Sequence, residues 1–362
     1  MYSFWEKQFW SKKFDFLIIG AGFTGLNVAL NLKKRYPKSQ VLVIDKIVRF
    51  SMASTKNAGF ACFGSPSELI SDIDKIGESE ALRLLNLRFD GIAKIKREFG
   101  TCCQYEETDA FEWLVSNELL NKCVGELDYL NHLIGDLNGG FSTYEALLNE
   151  EAINTINGII KIRGEGQLNP KMLHESLLKR AIRHGIEVLD QTAAIALDND
   201  KVFTQNGLSL QSEIIINCTN ALSGKLFKNK PVKPARAQVL ITSEIENLPY
   251  HGNFHMDEGF YYFRNVGKRL LLGGARNADF EGEGTSELGL NPKIKKKLDS
   301  LLKQLLPKHE FEIEQRWSGI MGFTDSKVPI IANNGNQLHV VGMNGMGVAI
   351  SFSISRELAS EF

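Results

Sequence analysis

The chain has 362 residues, too many for one small domain and well matched to two closely packed ones. A fold of this size buries roughly three-quarters of its unfolded surface, so it needs no disulfide or metal staple. Lys plus Arg total 42 against 43 Asp plus Glu, for a net charge of -1, which argues against a dedicated nucleic-acid binder. No stretch approaches the roughly 20 apolar residues of a membrane-spanning helix.

In chain order, the N-terminus MYSFWEKQFWSKKFDF interleaves aromatics with charge and lacks the apolar core of a secretory signal. Phe4, Trp5, Gln8 and Phe9 fall on one helical face, and a short helix packed on the body is expected here, ahead of membrane-surface contact. FDFLIIG is an apolar run ending in glycine, the pattern of a strand buried on both faces. Gly20-Ala-Gly22-Phe-Thr-Gly25 follows, then a helix with basic residues in its last turn, Pro37, and a second buried strand, QVLVID, ending at Asp45. Residues 65–99 read as two helices, the first capped by Ser65 or Ser67 and the second by Ser79. Residues 101–163 mix short strands with the helix-like SNELLNKCVGELDYLNHL. GEGQLNP reads as a loop, followed by a helix that stops at Gly185 and a strand.

SEIIINCT is a further buried strand. Residues 235–277 turn strand-rich, with a hairpin whose turn is placed at Asn265–Gly267. A helix with Lys293–Lys297 on its solvated face follows. The chain closes on strand, glycine loop and helix, LHVVGMNGMGVAISFSISRELA. Five cysteines, Cys62, Cys102, Cys103, Cys123 and Cys218, make an odd number with no CxxC pair, so reduced thiols, a cytoplasmic location and no metal centre are expected.

A glycine fingerprint alone is weak, but here a buried strand precedes it, a helix begins inside it, and Asp45 lies at the end of the next strand. Gly20 permits the tight turn, Gly22 lets backbone N–H groups approach a pyrophosphate, and Gly25 lets helix and strand pack closely. The helix N-terminus favours the phosphates, and Asp45 can accept from ribose hydroxyls while repelling a 2′-phosphate. The second loop, Gly342-Met-Asn-Gly345-Met-Gly347, starts another helix. A second helix N-terminus suits the pyrimidine edge of a flavin, which gains negative charge on reduction; NAD has no such need, so FAD is the expected cofactor.

Together these segments resemble the D-amino-acid oxidase-like superfamily of FAD-dependent oxidoreductases, with glycine oxidase, sarcosine oxidase and D-amino-acid dehydrogenase among its members. The resemblance runs from Phe14 to Ala359 and is weakest over 101–163. Ser54-Thr-Lys-Asn57-Ala-Gly59 looks like the Ser-x-Arg-Asn-x-Gly loop of the amine-oxidising members. IINCTNALS resembles the family's strand end, with Asn220 where glycine is usual, and Trp317-Ser-Gly319…Thr324-Asp325…Pro329 resembles its tryptophan segment. The implied fold is α/β: a doubly wound, discontinuous FAD-binding domain (14–95, 164–233 and 317–362) and a substrate domain (96–163 and 234–316) on a mixed, largely antiparallel sheet, with 1–13 as an extension.

The implied FAD contacts are Gly20, Gly22, Phe23, Thr24, Gly25, Asp45, Lys46, Ser54, Thr55, Asn57, Ala58, Gly59, Ala194, Thr219, Asn220, Gly319, Met321, Asn344, Gly345, Met346, Gly347 and Val348. The implied chemistry is oxidation of a small amine or amino acid by hydride transfer to flavin, with dioxygen, a quinone or an electron-transfer protein as open choices of acceptor. A tRNA-modification oxidase domain and a non-catalytic flavin-binding protein are the alternatives. Many members carry an arginine where this chain has Met321, and sarcosine oxidases a lysine near Ala349, so neither familiar carboxylate anchor is present. Arg264, Arg276 and Tyr262 are the substrate-pocket candidates. No cysteine lies in 317–329, so non-covalent FAD is expected. His255 reads as a surface histidine and Cys62 as packing.

Overall fold

Phe14, Leu17 and Ile18 are fully buried because their strand, Lys13–Ile19, has a parallel neighbour on each side. A computed structural model describes this and the rest of the chain over residues 3–50, 53–147, 156–227 and 232–360. Two compact units emerge: Met1–Thr55, Pro170–Ala235 and Met321–Phe362 form the first, Lys56–Asn169 and Arg236–Ile320 the second.

The first unit is built on a sheet in the order Ile330–Asn334, Gln337–Val341, Ser209–Asn217, Lys13–Ile19, Val41–Ile44, Glu187–Leu189. All neighbours from Gln337–Val341 onward are parallel; the first pair is a hairpin. Leu17, Ile44, Leu210 and Ile215 pack one core layer. The helices Phe23–Arg35 and Gly347–Ser360, from opposite ends of the sequence, lie side by side. Thr24 Oγ1 meets Ser351 Oγ at 3.2 Å, and Asn31 Nδ2 donates to Ser355 Oγ at 3.0 Å. Both partners advance together, so the helices run parallel and start at the same end. Gly20, Asp45 and Gly342 each follow the last residue of a parallel strand, the edge where doubly wound sheets bind ligands.

The second unit carries a mixed, largely antiparallel sheet in the order Ile313–Phe323, Lys233–Thr242, Arg269–Gly274, Tyr261–Val266, Asn253–Met256, Glu106–Leu114, Gly158–Gln167, Phe60–Ala61. Phe254, Phe263, Leu270 and Leu272 on one face pack with Ile294, Leu298 and Leu302 of the helix Pro292–Leu305. That helix turns Lys293 and Lys295–Lys297 to solvent. Ala58, Phe60, Val239 and Leu271 form a separate cluster with Tyr262 and Trp317.

Several local expectations need correction. The helix Phe4–Trp10 forms, with a capping box between Ser3 and Glu6, but buries none of its residues. Phe4 is 69% and Trp5 75% exposed, and the two meet edge-on, whereas Trp10, half-buried at the end of the helix, packs on the core layer of Phe14 and Leu17. Residues 56–95, grouped from sequence with the nucleotide-binding half, fall in the second unit. Phe60–Ala61 pairs there with Gly166 and Gln167, and Ser65 and Ser67 bond to Glu112. Ser65, in a full capping box, starts the helix Pro66–Ile76, whereas Gly77 rather than Ser79 precedes the helix Glu78–Phe99. The expected helix over 116–133 is two, Asn117–Gly125 and Leu127–Asn138, broken at Glu126.

GEGQ is strand, not loop. It extends Gly158–Gln167 because Gln167 still pairs with Glu106, and its glycines admit Ser142 and Tyr105 against the backbone. The hairpin turn sits at Gly267–Lys268, two residues long, with Gly267 supplying the positive φ of 57°.

Candidate functional site

The first unit holds the glycine loop in a fixed shape. Gly20 has φ +109°, and a Cβ there would lie 2.8 Å from Cys218 O, so no other residue fits. A Cβ on Gly25 would fall inside the radius of Gly20 O, which measures how closely helix and strand approach. Gly22 caps the helix in ordinary extended backbone, φ −76° and ψ −173°. The first N–H groups of a helix have no intrahelical acceptor. One, on Phe23, donates to Ser54 Oγ at 2.9 Å. Asp45 Oδ2 accepts from Ala21 N–H at 2.7 Å and Oδ1 from Ile47 N–H at 2.8 Å. Asp45 therefore braces the loop, a role the spacing did not reveal. Burial pushes its carboxyl up, against these two bonds that hold it down. Lys46 is exposed and Thr55 half-buried.

The closing loop is equally constrained. Asn220 sits at φ +47°, the left-handed conformation that explains a usual glycine and that asparagine tolerates. Its Oδ1 accepts from Gly342 N–H at 2.9 Å and Met343 N–H at 3.2 Å, so it ties the end of Ser209–Asn217 to the loop. Thr219 Oγ1 donates to Asn217 Oδ1 at 2.6 Å. Asn344 N–H donates to Gly322 O at 3.0 Å, and its Oδ1 accepts from Thr324 N–H at 2.7 Å. Met346 N–H closes a turn on Met343 O, and the helix begins at Gly347 and Val348. Met321 lies beside this loop, its Sδ 3.9 Å from where a Gly345 side chain would start. Ala194 packs on the core layer of Leu17 and Ile215. Asn220→Ala should remove the tether and strain an alanine at positive φ. We expect FAD affinity to fall about tenfold or more in a fluorescence titration, and Asn220→Gly to lose less.

In the second unit, Asn57 Oδ1 accepts from Gly59 N–H at 2.9 Å and Trp317 Nε1 donates to Lys56 O at 2.9 Å. Arg264 corrects an expectation. It is buried, and its guanidinium donates to Ala58 O (2.6 Å), Gln167 Oε1 (3.1 Å), Asn265 O (3.1 Å) and Leu168 O (3.1 Å). Burial lowers it to about 10, so it stays a cation, but one committed to fixing the chain around Ala58 rather than to a substrate carboxylate. Arg276 is half-buried and lies over the Phe280 ring at 4.8 Å. Gly319 is buried in the strand Ile313–Phe323.

Tyr262 and Tyr261 point to opposite faces of the sheet, Tyr262 into the Phe60 cluster and Tyr261 against the helix-covered core. The Tyr262 ring lies across Gly273, where a Cβ would collide with it, and stands edge-on to Phe60 at 5.6 Å. Burial pushes its phenol to about 12, so it is neutral, and its hydroxyl has no hydrogen-bond partner among the described residues. Cys62 packs at the same cluster; burial, then Glu165 and Glu68, push its thiol well up.

His255 is also corrected. It is buried, its Nε2 3.1 Å from Glu165 Oε2, and its ring stands edge-on to Phe60 at 5.5 Å. Burial alone would lower it, but the Glu165 charge and hydrogen bond, with Glu68 and Glu112 behind, raise it to about 9. Glu165 and Glu112 were invisible in the sequence, since nothing in their spacing marks a carboxylate whose partners are 90 and 47 residues away.

The first unit thus offers two helix starts side by side, a glycine turn and a carboxylate just past a parallel strand, a set in which Gly22 would face the pyrophosphate of FAD, Asp45 a ribose and Gly345–Val348 the pyrimidine edge. The FAD dependent oxidoreductase family (DAO) matches residues 15–361, and the chain belongs to it. It is an FAD-dependent oxidoreductase. It is 24% identical over 339 residues to the "Probable oxidoreductase OrdL" of Rhizobium meliloti (strain 1021), covering 88% of this chain and 76% of that protein. A protein of the same name from Haemophilus influenzae (strain ATCC 51907 / DSM 11121 / KW20 / Rd) is 22% identical, over 95% of this chain and 82% of that one. Among solved structures, the fold is similar to glycine oxidase from Geobacillus kaustophilus, with TM-score 0.78, 17% identity and coverage of 97% and 94%. Iminodiacetate oxidase from Chelativorans sp. BNC1 is similar with TM-score 0.74, 18% identity and coverage of 95% and 94%. Among the described residues, no helix is long and apolar enough to cross a membrane.

Proposed function

We propose that this protein oxidises a C–N bond of a small amine or amino acid, with non-covalently bound FAD. Loss of hydride from the carbon bearing a neutral amine gives an iminium ion, which water hydrolyses to a carbonyl compound and a protonated amine or ammonium. FAD supplies the hydride acceptor. The chain's own work is binding and placement of the cofactor and the reacting C–H bond. The observation that carries the substrate side is the Tyr262 hydroxyl, unpartnered among the described residues, in an apolar wall of Ala58, Phe60, Val239 and Leu271. An apolar wall disfavours a charged ammonium and so favours the neutral amine from which hydride leaves. The names of the similar structures, which include an L-proline dehydrogenase from P. horikoshii, support an amine or amino-acid substrate.

The test is anaerobic mixing with glycine, sarcosine, L-proline, iminodiacetate and putrescine. Bleaching of the flavin absorbance by at least one is expected; no bleaching by any amine or amino acid would remove the reading. With the amine that bleaches, Tyr262→Phe should lower kcat/KM roughly fivefold, the worth of one hydrogen bond of about 1 kcal/mol. An unchanged kcat/KM would take Tyr262 out of the site.

A further inference from the structure

The helix Pro170–Arg183 carries a histidine that no motif singles out. His174 is fully buried, and its Nε2 lies 2.7 Å from Ala21 O. A carbonyl oxygen only accepts, so Nε2 carries the proton and donates it. Nδ1 is then a lone pair, buried and without a partner among the described residues. An enclosed, unmatched acceptor has lost its water without replacement, and an apolar ring would fill the same space without that cost. Packing therefore does not account for an imidazole here; the bond to Ala21 does.

That bond has a direct geometric consequence. The Ala21 carbonyl and the Gly22 N–H belong to one rigid, trans peptide plane and point in opposite directions. Holding the carbonyl with His174 aims the Gly22 N–H away from the helix Pro170–Arg183. The preceding peptide is held as well, since Ala21 N–H donates to Asp45 Oδ2 at 2.7 Å. The Gly22 N–H itself finds no acceptor among the described residues. The His174 ring also packs near Phe23, centroids 6.3 Å apart, and Phe23 in turn meets Phe352 of the last helix at 6.2 Å.

We propose that His174 is a cofactor-positioning residue, which by gripping the Ala21 carbonyl presents the Gly22 N–H to the FAD pyrophosphate. It touches no cofactor atom, because its free nitrogen is enclosed. The proposal rests on the FAD-binding assignment of the first unit and deepens it.

The experiment is titration of the apoprotein with FAD, followed by flavin fluorescence, for wild type, His174→Phe and His174→Gln, with melting of each apoprotein measured in parallel. Phenylalanine keeps the packing on Phe23 and removes the donor; glutamine keeps a donor near the Nε2 position. We expect H174F to weaken FAD binding about five- to twentyfold while its apoprotein melts no lower than wild type, and H174Q to bind within about threefold of wild type. H174F binding FAD as tightly as wild type would overturn the proposal. So would H174F and H174Q losing affinity alike in step with a lowered melting temperature, since that marks a packing role. A wild-type protein that takes up no FAD would instead overturn the cofactor assignment, and the proposal with it.

Discussion

Gly25→Ala should yield a protein that folds its second unit but carries less than about a tenth of the wild-type FAD. The added methyl would collide with Gly20 O and press on Ile18, both parts of the strand and turn that the helix must approach. Neither is a flexible side-chain end that can swing aside, so the helix Phe23–Arg35 must move outward. Overpacking of this kind costs about 1–3 kcal/mol, more where backbone is the obstacle. The displacement also moves the Phe23 N–H off Ser54 and the helix start off the pyrophosphate. We expect the melting temperature to fall by roughly 5–10 °C, and the ratio of flavin to protein absorbance to collapse. Gly125→Ala is the control, since nothing lies within 4 Å of a Cβ there. It should keep its FAD. Equal FAD content in the two variants would contradict the close strand–helix packing that defines the site.

The second large effect is expected at Glu165. The carboxylate is fully buried; Oε2 faces His255 at 3.1 Å, and Oε1 accepts from Phe63 N–H at 3.2 Å. Glu165→Ala leaves an imidazolium without a counter-charge and a buried N–H without an acceptor, a loss of about 3–5 kcal/mol. The pair also makes stability depend on pH with a definite sign. The folded His255 binds its proton up to about 9, whereas the unfolded histidine lets go near 6.5. Its contribution, on the order of 3 kcal/mol, is therefore complete below pH 6.5 and is lost as pH rises through 9. Urea unfolding at pH 6, 7, 8 and 9 should show wild-type stability declining across that range, and Glu165→Ala should lack the decline. A wild-type stability that rises from pH 6 to 9, or a variant with the same slope, would show that His255 is not held as a cation.

What was legible in the sequence was local. The strand–glycine–helix order, the acid at the end of the next strand and the apolar periodicities depend on neighbours within about 30 residues. They suffice for the fold class and for both glycine loops. What escaped depends on partners that only the tertiary fold supplies. Arg264 looks like a ligand cation on paper, and only the carbonyls of Ala58 and Leu168, 206 and 96 residues away, show it to be internal bracing. His255 passed for a surface histidine because Glu165 cannot be paired with it by spacing. Asn220 stood out as a departure from glycine, but its grip on Gly342 became visible only with the loop folded over it. The N-terminal helix is a mixed case: Trp10 packs on the body, as the aromatic pattern suggested, while Phe4 and Trp5 stay in the open beside the capping box of Ser3 and Glu6.

The decisive measurement is a crystal structure of the FAD-loaded protein. It should place the pyrophosphate at the Gly22 N–H and the start of the helix Phe23–Arg35, a ribose at Asp45, and the flavin pyrimidine edge at Gly345–Val348, so that both parallel helices point at one molecule. FAD bound away from either helix start, or a protein that stays colourless after reconstitution, would contradict it.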